Sequence, residues 1–577
     1  MKSMVVALLG ALVATVALAQ DRAAPIPPGH SPWWQGALIY EIYPRSFQDS
    51  NGDGTGDLNG ITQRLDYLQT LGVDAIWITP FYPSPQVDFG YDIADYEAID
   101  PQFGTLADFD RLVSEASKRH IRVLLDMVLN HTSSQHPWFI DAASSRTNPK
   151  HDWYVWNNGK LDAAGQRMPP NNWHSIFGGS SWEWVPGVQQ YYYHEFYIQQ
   201  PDLNWRNPQV EQAMFGAMQF WLDRGVAGFR LDAVTRLFED IQLRDNPPLP
   251  GLDDLGRTRL QDLYTDNLPE VHDTMRRLRQ MVNKYPGDRV LIGETYLPDA
   301  KALDQWYGGA RHDELQLPMD MQLGFINKLD ATTFRQRLEE IYTQMHGSQP
   351  ILVFDNHDND RSWDRYGDGA HNEQIARVIA TLLLTSKATA VLYQGQELGM
   401  RTATPQRKED VRDPVGISNW PTNKGRDGER TPMQWDASSP QAGFTSNPMP
   451  WLPVQKDYDS INVSSEIAAP DSLLNWYRKL IALRRAQSAL RVGRVVLLDR
   501  HNPSVLSYAR IDARGEAVLV ALNMSAAEQT AVLDLRHTGI RGGKLRTLLA
   551  SPAGMSAVET VQQIELPPFA SWVGAVE

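Results

Sequence analysis

Three acidic residues, Asp232, Glu294 and Asp358, each stand near the end of a short apolar, strand-like run: GFRLDAV (228–234), VLIGETY (290–296) and ILVFDNHD (351–358). A fourth run, RVLLDMVLNH (122–131), ends in Asp126, Asn130 and His131. Arg230 and His357 sit beside the acids, and Asp88 and Tyr91 follow the run that ends at Phe81. A carboxylate rarely ends a buried strand for packing reasons alone. For any single acid, a salt-bridged structural role is the competing explanation; the set as a whole points to one polar rim. Converging carboxylates suit glycoside hydrolysis, in which one acid protonates the leaving oxygen and another attacks the sugar or activates water. Arg230 lies two residues before Asp232, hence on the same face of a strand, and a fixed cation there would keep Asp232 ionised, as a nucleophile requires. Glu294 has no charged neighbour within two residues, so sequence does not set its proton affinity.

The elements that must position these residues alternate. Strand-like runs at 37–44, 75–81, 122–131, 228–234, 290–296, 315–321, 351–358 and 388–394 are separated by helix-like spacing at 57–71, 106–120, 210–224, 268–285, 333–345, 373–385 and 472–485. Such alternation implies a parallel sheet, and eight units fit an α/β fold of the (β/α)8 TIM-barrel type, whose active site lies at the C-terminal ends of the strands. The alternation pauses over 132–206, rich in Trp, Asn, Gly and Pro, and this stretch reads as an inserted domain after the third strand. The expected organisation is a barrel over 30–131 and 207–490, the insertion over 132–206, and an antiparallel β domain over 491–577, where short β-branched runs replace amphipathic helices.

The 577 residues contain no cysteine, which removes disulfides, thiolate metal sites and cysteine nucleophiles. A formal charge of −15 argues against nucleic acid as a partner. The aromatic content (18 Trp, 21 Tyr, 17 Phe) hints at stacking on sugars, although large cores also use such residues. Residues 1–19 read as a secretory signal: Lys2, an uncharged apolar run from Met4 to Leu18, and Ala17-Leu18-Ala19 before the cleavage point. A membrane anchor is the alternative, but the run falls short of the roughly 20 residues a span needs. The expected product is an exported protein, periplasmic or extracellular, with no membrane insertion after cleavage. His194-Glu195 is followed by Ile198 where a zinc protease needs a second histidine, and no GxSxG, GxxxxGK or GxGxxG occurs.

DMVLNH (126–131), GFRLDAV (228–234), GETY (293–296) and FDNHD (354–358) resemble the four signature segments of the α-amylase superfamily, glycoside hydrolase family 13. QPDLNW (200–205) and GRDGERTPMQW (425–435) resemble its α-glucosidase and oligo-1,6-glucosidase branch. The resemblance runs from about Trp33 into the C-terminal domain. It implies a retaining mechanism with Asp232 as nucleophile, Glu294 as acid and then base, and Asp358 gripping sugar hydroxyls in the distorted transition state. It further implies that Asp88, Tyr91, His131, Arg230, His357 and Arg426 hold a terminal glucose. Asp88 with Arg426 would close one end of the pocket and favour release of single glucose units from a small α-glucoside. Phe177 and Phe196 would wall the pocket from the insertion, with ordinary core packing as their alternative.

Asp49, Asn51, Asp53, Thr55 and Asp57 place oxygen donors at alternate positions. This matches the start of a calcium loop, and the resemblance implies a structural Ca2+ or Mg2+ there. Position 12 of the loop is Gly60, so it is not an EF-hand, and a metal-free Asx- and Gly-rich turn is the alternative. Two activities stand beside the α-glucosidase: a transglucosylase or isomerase on the same scaffold, forming trehalose or sucrose isomers, and an oligo-1,6-glucosidase. A non-catalytic binding subunit of the same fold would lack the acids present here. Linkage indicators conflict. Ala233, after the expected nucleophile, points to α-1,4 bonds, whereas QPDLN is associated with α-1,6 enzymes. Ala233 abuts the bond being cut and carries more weight.

Overall fold

The computed structural model describes residues 31–577 except 254, 325, 346, 537, 542–543 and 556–562. The expected leader, with its cleavage point after Ala19, lies outside the described residues. Every strand-like run that carries a candidate residue forms a strand of one eight-stranded sheet: β1 (Leu38–Ile42), β2 (Ala75–Ile78), β3 (Arg122–Val128), β4 (Gly228–Asp232), β5 (Val290–Gly293), β6 (Leu317–Pro318), β7 (Ile351–Val353) and β8 (Thr389–Tyr393). The order is β6-β5-β4-β3-β2-β1-β8-β7. All seven pairings are parallel, and β1 pairs with both β2 and β8, which bends the sheet into a barrel. Among the described residues no ladder joins β6 to β7, the two shortest strands. Most barrel strands are buried throughout, which explains their near-continuous apolar sequences.

Helices occupy the intervals where apolar spacing predicts them: Leu106–Lys118, Pro208–Asp223, Glu270–Val282, Ala331–Gln344, Asn372–Thr385 and Leu473–Ala486. Pro208–Asp223 buries Met214, Met218 and Trp221, one stripe at helical spacing. The run expected as one helix at 57–71 is two, Leu58–Gln63 and Leu65–Leu71, broken at Arg64 where the backbone leaves the helical region. Ala300–Trp306, after β5, is too short for its periodicity to stand out in the sequence.

The stretch after β3 carries its own antiparallel sheet of Trp156–Asn157, Gln190–Tyr193 and Trp182–Val185. The C-terminal segment forms a second antiparallel sheet from β9 (Arg494–Leu497), β10 (Val505–Ile511), β11 (Ala517–Asn523), β12 (Leu545–Ser551) and β13 (Ser571–Val576), ordered β9-β10-β11-β13-β12. Arg510 on β10 keys it to the barrel. Its guanidinium donates to the carbonyls of Thr385 and Ser386 at 2.7 and 2.6 Å, satisfying the C-terminal end of helix Asn372–Thr385.

Candidate active site

Strand register places the central charges. Asp126 on β3 pairs with Arg230 on β4, and Val128 with Asp232. Leu231 pairs with Gly293, and the N–H of Glu294 donates to Leu231 O at 3.0 Å, so Glu294 leaves β5 level with Asp232. β4 and β5 approach closely because position 228 is glycine: a Cβ there would sit 2.0 Å from Val290 O. Arg230 is the hub. Its Nη1 lies 2.9 Å from Asp126 Oδ1 and 2.6 Å from Asp232 Oδ1, and its Nη2 lies 2.9 Å from Glu294 Oε2. The guanidinium is buried, 5.2 Å above the Trp77 ring. Ala233, held at φ 44°, donates its N–H to Glu294 Oε2 at 3.0 Å, and Tyr296 donates its hydroxyl to Glu294 Oε1 at 3.2 Å.

Glu294, without a charged neighbour nearby in sequence, receives one across the sheet from Arg230. The cation expected beside Asp232 is shared by three carboxyls. Burial therefore pushes the Asp232 carboxyl up, Glu294 and Asp126 push it the same way, and Arg230 only opposes them. Burial raises Asp126 to about 6 against the same guanidinium. Asp126 and Asp232 therefore both favour their protonated forms despite the shared guanidinium.

Asp358 lies opposite. Its Oδ1 accepts from Arg426 Nη1 at 3.0 Å and Arg430 Nη2 at 2.8 Å, and its Oδ2 lies 3.2 Å from His357 Nε2. Despite burial, the His357 contact and the two arginines hold this carboxyl below the usual carboxylate range. His357 is fully buried, stacks on Tyr91 with ring centroids 5.4 Å apart, and places Nε2 2.7 Å from the Tyr91 hydroxyl. Burial lowers its pKa to about 3. Tyr91 donates in turn to Asp126 Oδ2 at 3.1 Å.

Arg426 Nη2 reaches Asp88 Oδ1 at 2.8 Å, so the pair expected to close the pocket does meet. Asp88 Oδ2 accepts from Gln200 Nε2 at 3.1 Å, and the same amide lies 3.1 Å from His131 Nε2. His131 Nδ1 faces Asn130 Oδ1 at 2.9 Å, and burial lowers the His131 pKa to about 3. Half-buried Phe196 packs 5.2 Å from the His131 ring. Phe177, also half-buried, lies under the Arg426 guanidinium at 5.4 Å. Both insertion aromatics therefore flank the charged site.

Four contributors escaped sequence reasoning. Asp413 anchors Arg426, Arg430 shares Asp358, Gln200 links Asp88 to His131, and Glu41 contacts His357 Nδ1 at 2.6 Å. Arg430 stands four residues beyond Arg426 within a motif already singled out, and Gln200 opens QPDLN. Asp413 caps the short helix Pro414–Asn419, accepting from Val415 N–H at 3.3 Å, so its Asp-Pro pair marks a helix start but not the partnership with Arg426. The rest of QPDLN also points into the scaffold: Asp202 accepts from Asn130 Nδ2 and from the Glu195 N–H, both at 2.9 Å.

The loop after β1 is wound on its own side chains. Asp49 Oδ1 accepts from the N–H groups of Asn51 and Gly52 at 2.9 and 2.7 Å, and Oδ2 from Gly54 at 2.8 Å. Asn51 accepts from Asp53, Asp53 from Thr55, and Asp57 from Ser50 and Gly60, all at 2.8–2.9 Å. Gly52 and Gly54, at φ 82° and 96°, permit the tight coil. Among the described residues no three His, Asp or Glu side chains gather as a metal site. The donor set of three carboxylates, one amide and the Thr55 carbonyl is nevertheless the hard-oxygen chemistry that suits Ca2+ or Mg2+.

A (β/α)8 barrel whose C-terminal rim gathers paired carboxyls on a shared arginine, walled by aromatics and closed by an Asp–Arg pair, defines a glycoside hydrolase. Residues 41–493 match the α-amylase catalytic-domain family, and the chain belongs to that family. It is 41% identical over 522 residues to the "Probable alpha-glucosidase" of Rhizobium meliloti (strain 1021), covering 88% of this chain and 92% of that one. It is 37% identical over 569 residues to the oligo-1,6-glucosidase of Parageobacillus thermoglucosidasius, covering 93% and 98%. Among solved structures it is similar to the alpha-glucosyl transfer enzyme XgtA, with a TM-score of 0.85 and 40% identity over 95% of this chain and 100% of that one.

Proposed function

We propose that the protein is an exo-acting, retaining α-glucosidase that releases terminal glucose from short neutral α-glucosides, with α-1,4 bonds preferred. The observation that carries the reading is Arg230 holding Asp232 and Glu294 side by side on one guanidinium. Two carboxyls so held suit the short separation of retaining enzymes, about 5–5.5 Å, rather than the wider gap that admits water in inverting ones. The chemistry requires a cycle that starts with a proton on Glu294 and Asp232 ionised. Asp232 attacks the anomeric carbon through Oδ2 while Oδ1 stays on Arg230. The glycosidic C–O bond breaks and Glu294 gives its proton to the leaving oxygen. Glu294, now ionised, takes a proton from water as the water oxygen attacks the same carbon, and Asp232 is released. Asp358, kept ionised by two arginines, is the acceptor for sugar hydroxyls.

The Asp88–Arg426–Asp413 wall supports single-unit release, because a chain cannot run through it. Ala233 supports the α-1,4 preference: it is bonded to Glu294 and so borders the scissile bond. The QPDLN residues brace Asp88, His131 and Asn130 instead, so that motif is architecture in this chain. Glucosyl transfer to a sugar hydroxyl is the second reading, supported by the likeness to a glucosyl transfer enzyme. The Asp49–Asp57 loop would hold a structural Ca2+ or Mg2+, and the apolar leader supports export. No helix among the described residues is long and apolar enough to cross a membrane.

The test is product analysis on maltose, isomaltose, sucrose and trehalose with NMR detection of the first anomer formed. Fastest release of α-glucose from maltose is expected. First-formed β-glucose would overturn retention, faster cleavage of isomaltose would overturn the linkage preference, and a dominant isomeric disaccharide would favour the transferase.

A further inference from the structure

We infer that Glu41 is a neutral carboxylic acid whose O–H fixes the tautomer of His357, so that the imidazole offers an Nε2–H donor to the sugar site. Glu41 lies on β1, fully buried in the barrel, with Oε1 2.6 Å from His357 Nδ1. On its other side His357 Nε2 faces two oxygens, the Tyr91 hydroxyl at 2.7 Å and Asp358 Oδ2 at 3.2 Å.

A neutral imidazole has one N–H and one lone pair. Suppose the proton sat on Nδ1. The lone pair of Nε2 would then face the carboxylate of Asp358, which two arginines keep ionised. The single hydroxyl proton of Tyr91 would also be claimed twice, by Nε2 and by Asp126 Oδ2 at 3.1 Å. With the proton on Nε2 every contact is satisfied. Nε2–H serves Asp358 and the Tyr91 oxygen, Tyr91 donates to Asp126, and Nδ1 needs a donor. Glu41 Oε1 supplies it only if the carboxyl carries a proton.

The imidazolium alternative, with Glu41 ionised, is favoured by Asp358 but opposed by burial and by Arg430, Arg230 and Arg426, and the opposing effects prevail. Glu41 Oε2 has no hydrogen-bond partner, an arrangement far less costly for the carbonyl of a neutral acid than for a buried carboxylate. The charged and titratable groups around Glu41 are Asp126 from β3, Arg230 from β4, His357 and Asp358 beyond β7, and Tyr393 from β8. Burial, Asp358 and Asp126 favour its protonated form and Arg230 opposes it.

Glu41 touches no substrate atom in this scheme; it is a positioning residue, and the value of the Nε2–H donor rests on the glucosidase reading above. The test is NMR of protein labelled with 15N-histidine, with His357→Asn identifying the resonance, together with an infrared difference spectrum between the native protein and Glu41→Gln. The native protein should show neutral His357 protonated on Nε2. Glu41→Gln, whose amide N–H can replace the O–H, should keep that tautomer while losing one protonated-carboxyl C=O band. Glu41→Met, with no donor, should lose the tautomer and lower kcat more than it raises KM, by roughly 10- to 100-fold, the range for removing the partner that orients a metal-bound histidine. A proton on Nδ1 in the native protein, or no carboxylic band lost in Glu41→Gln, overturns the proposal; these two spectra decide it even if Glu41→Met does not fold. Absence of hydrolysis in every variant with the tautomer as described would instead fault the glucosidase reading.

Discussion

Asp413 grips one edge of the Arg426 guanidinium with both carboxylate oxygens, Nε 2.9 Å from Oδ2 and Nη2 3.1 Å from Oδ1. The backbone N–H of Arg426 adds a third bond to Oδ2 at 2.7 Å. Arg426 therefore reaches the site already oriented, with Asp88 and Asp358 taking the donors that Asp413 leaves.

Asp413→Ala should free that guanidinium. Breaking a buried, hydrogen-bonded charge pair costs about 2–5 kcal/mol at a binding site, so KM for maltose should rise at least tenfold with a smaller fall in kcat. Asp413→Asn, which keeps one acceptor, should fall between. Initial-rate kinetics on maltose check this, and an unchanged KM in Asp413→Ala would separate Arg426 from glucose binding.

Asp232→Asn should abolish turnover on every substrate. Glu294→Gln should lose roughly 10²–10⁴-fold on maltose, the contribution of a positioned acid. It should lose much less in the first step on aryl α-glucosides, whose leaving groups need no proton. Pre-steady-state bursts with an aryl glucoside distinguish the two, and equal defects on both substrates would contradict the acid role of Glu294.

The buried histidines fix a pH signature. Burial lowers His131 and His357 to about 3, below the unfolded value near 6.5. Between those limits the unfolded chain binds more protons than the native one, so their contribution to stability falls as pH drops from about 6.5 toward 3. The slope is up to about 1.4 kcal/mol per pH unit per histidine. Asp126, raised to about 6, acts in the opposite sense: its contribution falls as pH rises from about 4 to 6. His131→Asn and His357→Asn should each flatten the acid limb of a melting-temperature profile, and both resonances should stay in the neutral form down to pH 5.

Chelation should lower the melting temperature more than it lowers turnover per folded molecule. A site saturated at 100 times its Kd contributes about 2.7 kcal/mol. Asp53 is the residue to vary, because it is exposed and holds one N–H, whereas Asp49 also supports three backbone amides. Asp53→Ala should remove the calcium dependence of melting, measured by calorimetry with added Ca2+ and with chelator. Equal melting in both conditions for the native protein would leave the loop a metal-free turn.

The barrel was legible because its strands are buried on both faces and end abruptly in polar residues, so runs such as RVLLDMVLNH mark both the element and the rim. The insertion showed itself by interrupting that rhythm. What stayed hidden depends on contacts across strands. Arg230 looks like the private partner of Asp232 because the two are near in sequence, yet Glu294 also lies within ion-pair distance, 2.9 Å against 2.6 Å. Glu41 sits mid-strand in LIYEI, where alternation alone does not say whether it faces a helix or the barrel interior. Asp413 reads locally as the cap of the helix Pro414–Asn419, and nothing in that local role shows that it also anchors Arg426. The Asp49–Asp57 loop differs again: alternating oxygens serve backbone turns and a cation equally well, so spacing does not choose between them.

The first and last strands of the barrel pair, β1 with β8, Leu38 opposite Ala390. His357 lies near that seam, touched by Glu41 from β1 and by Arg430 from beyond β8, whose Nε donates to His357 O at 2.7 Å. Glu41 and His357 are 316 residues apart and Arg430 and His357 are 73 apart, and contacts between segments far apart in the chain are slow to form. The site is assembled only when the chain's first and last barrel strands meet, so in a refolding time course helical signal should return first and hydrolysis later, making activity a clock for that meeting.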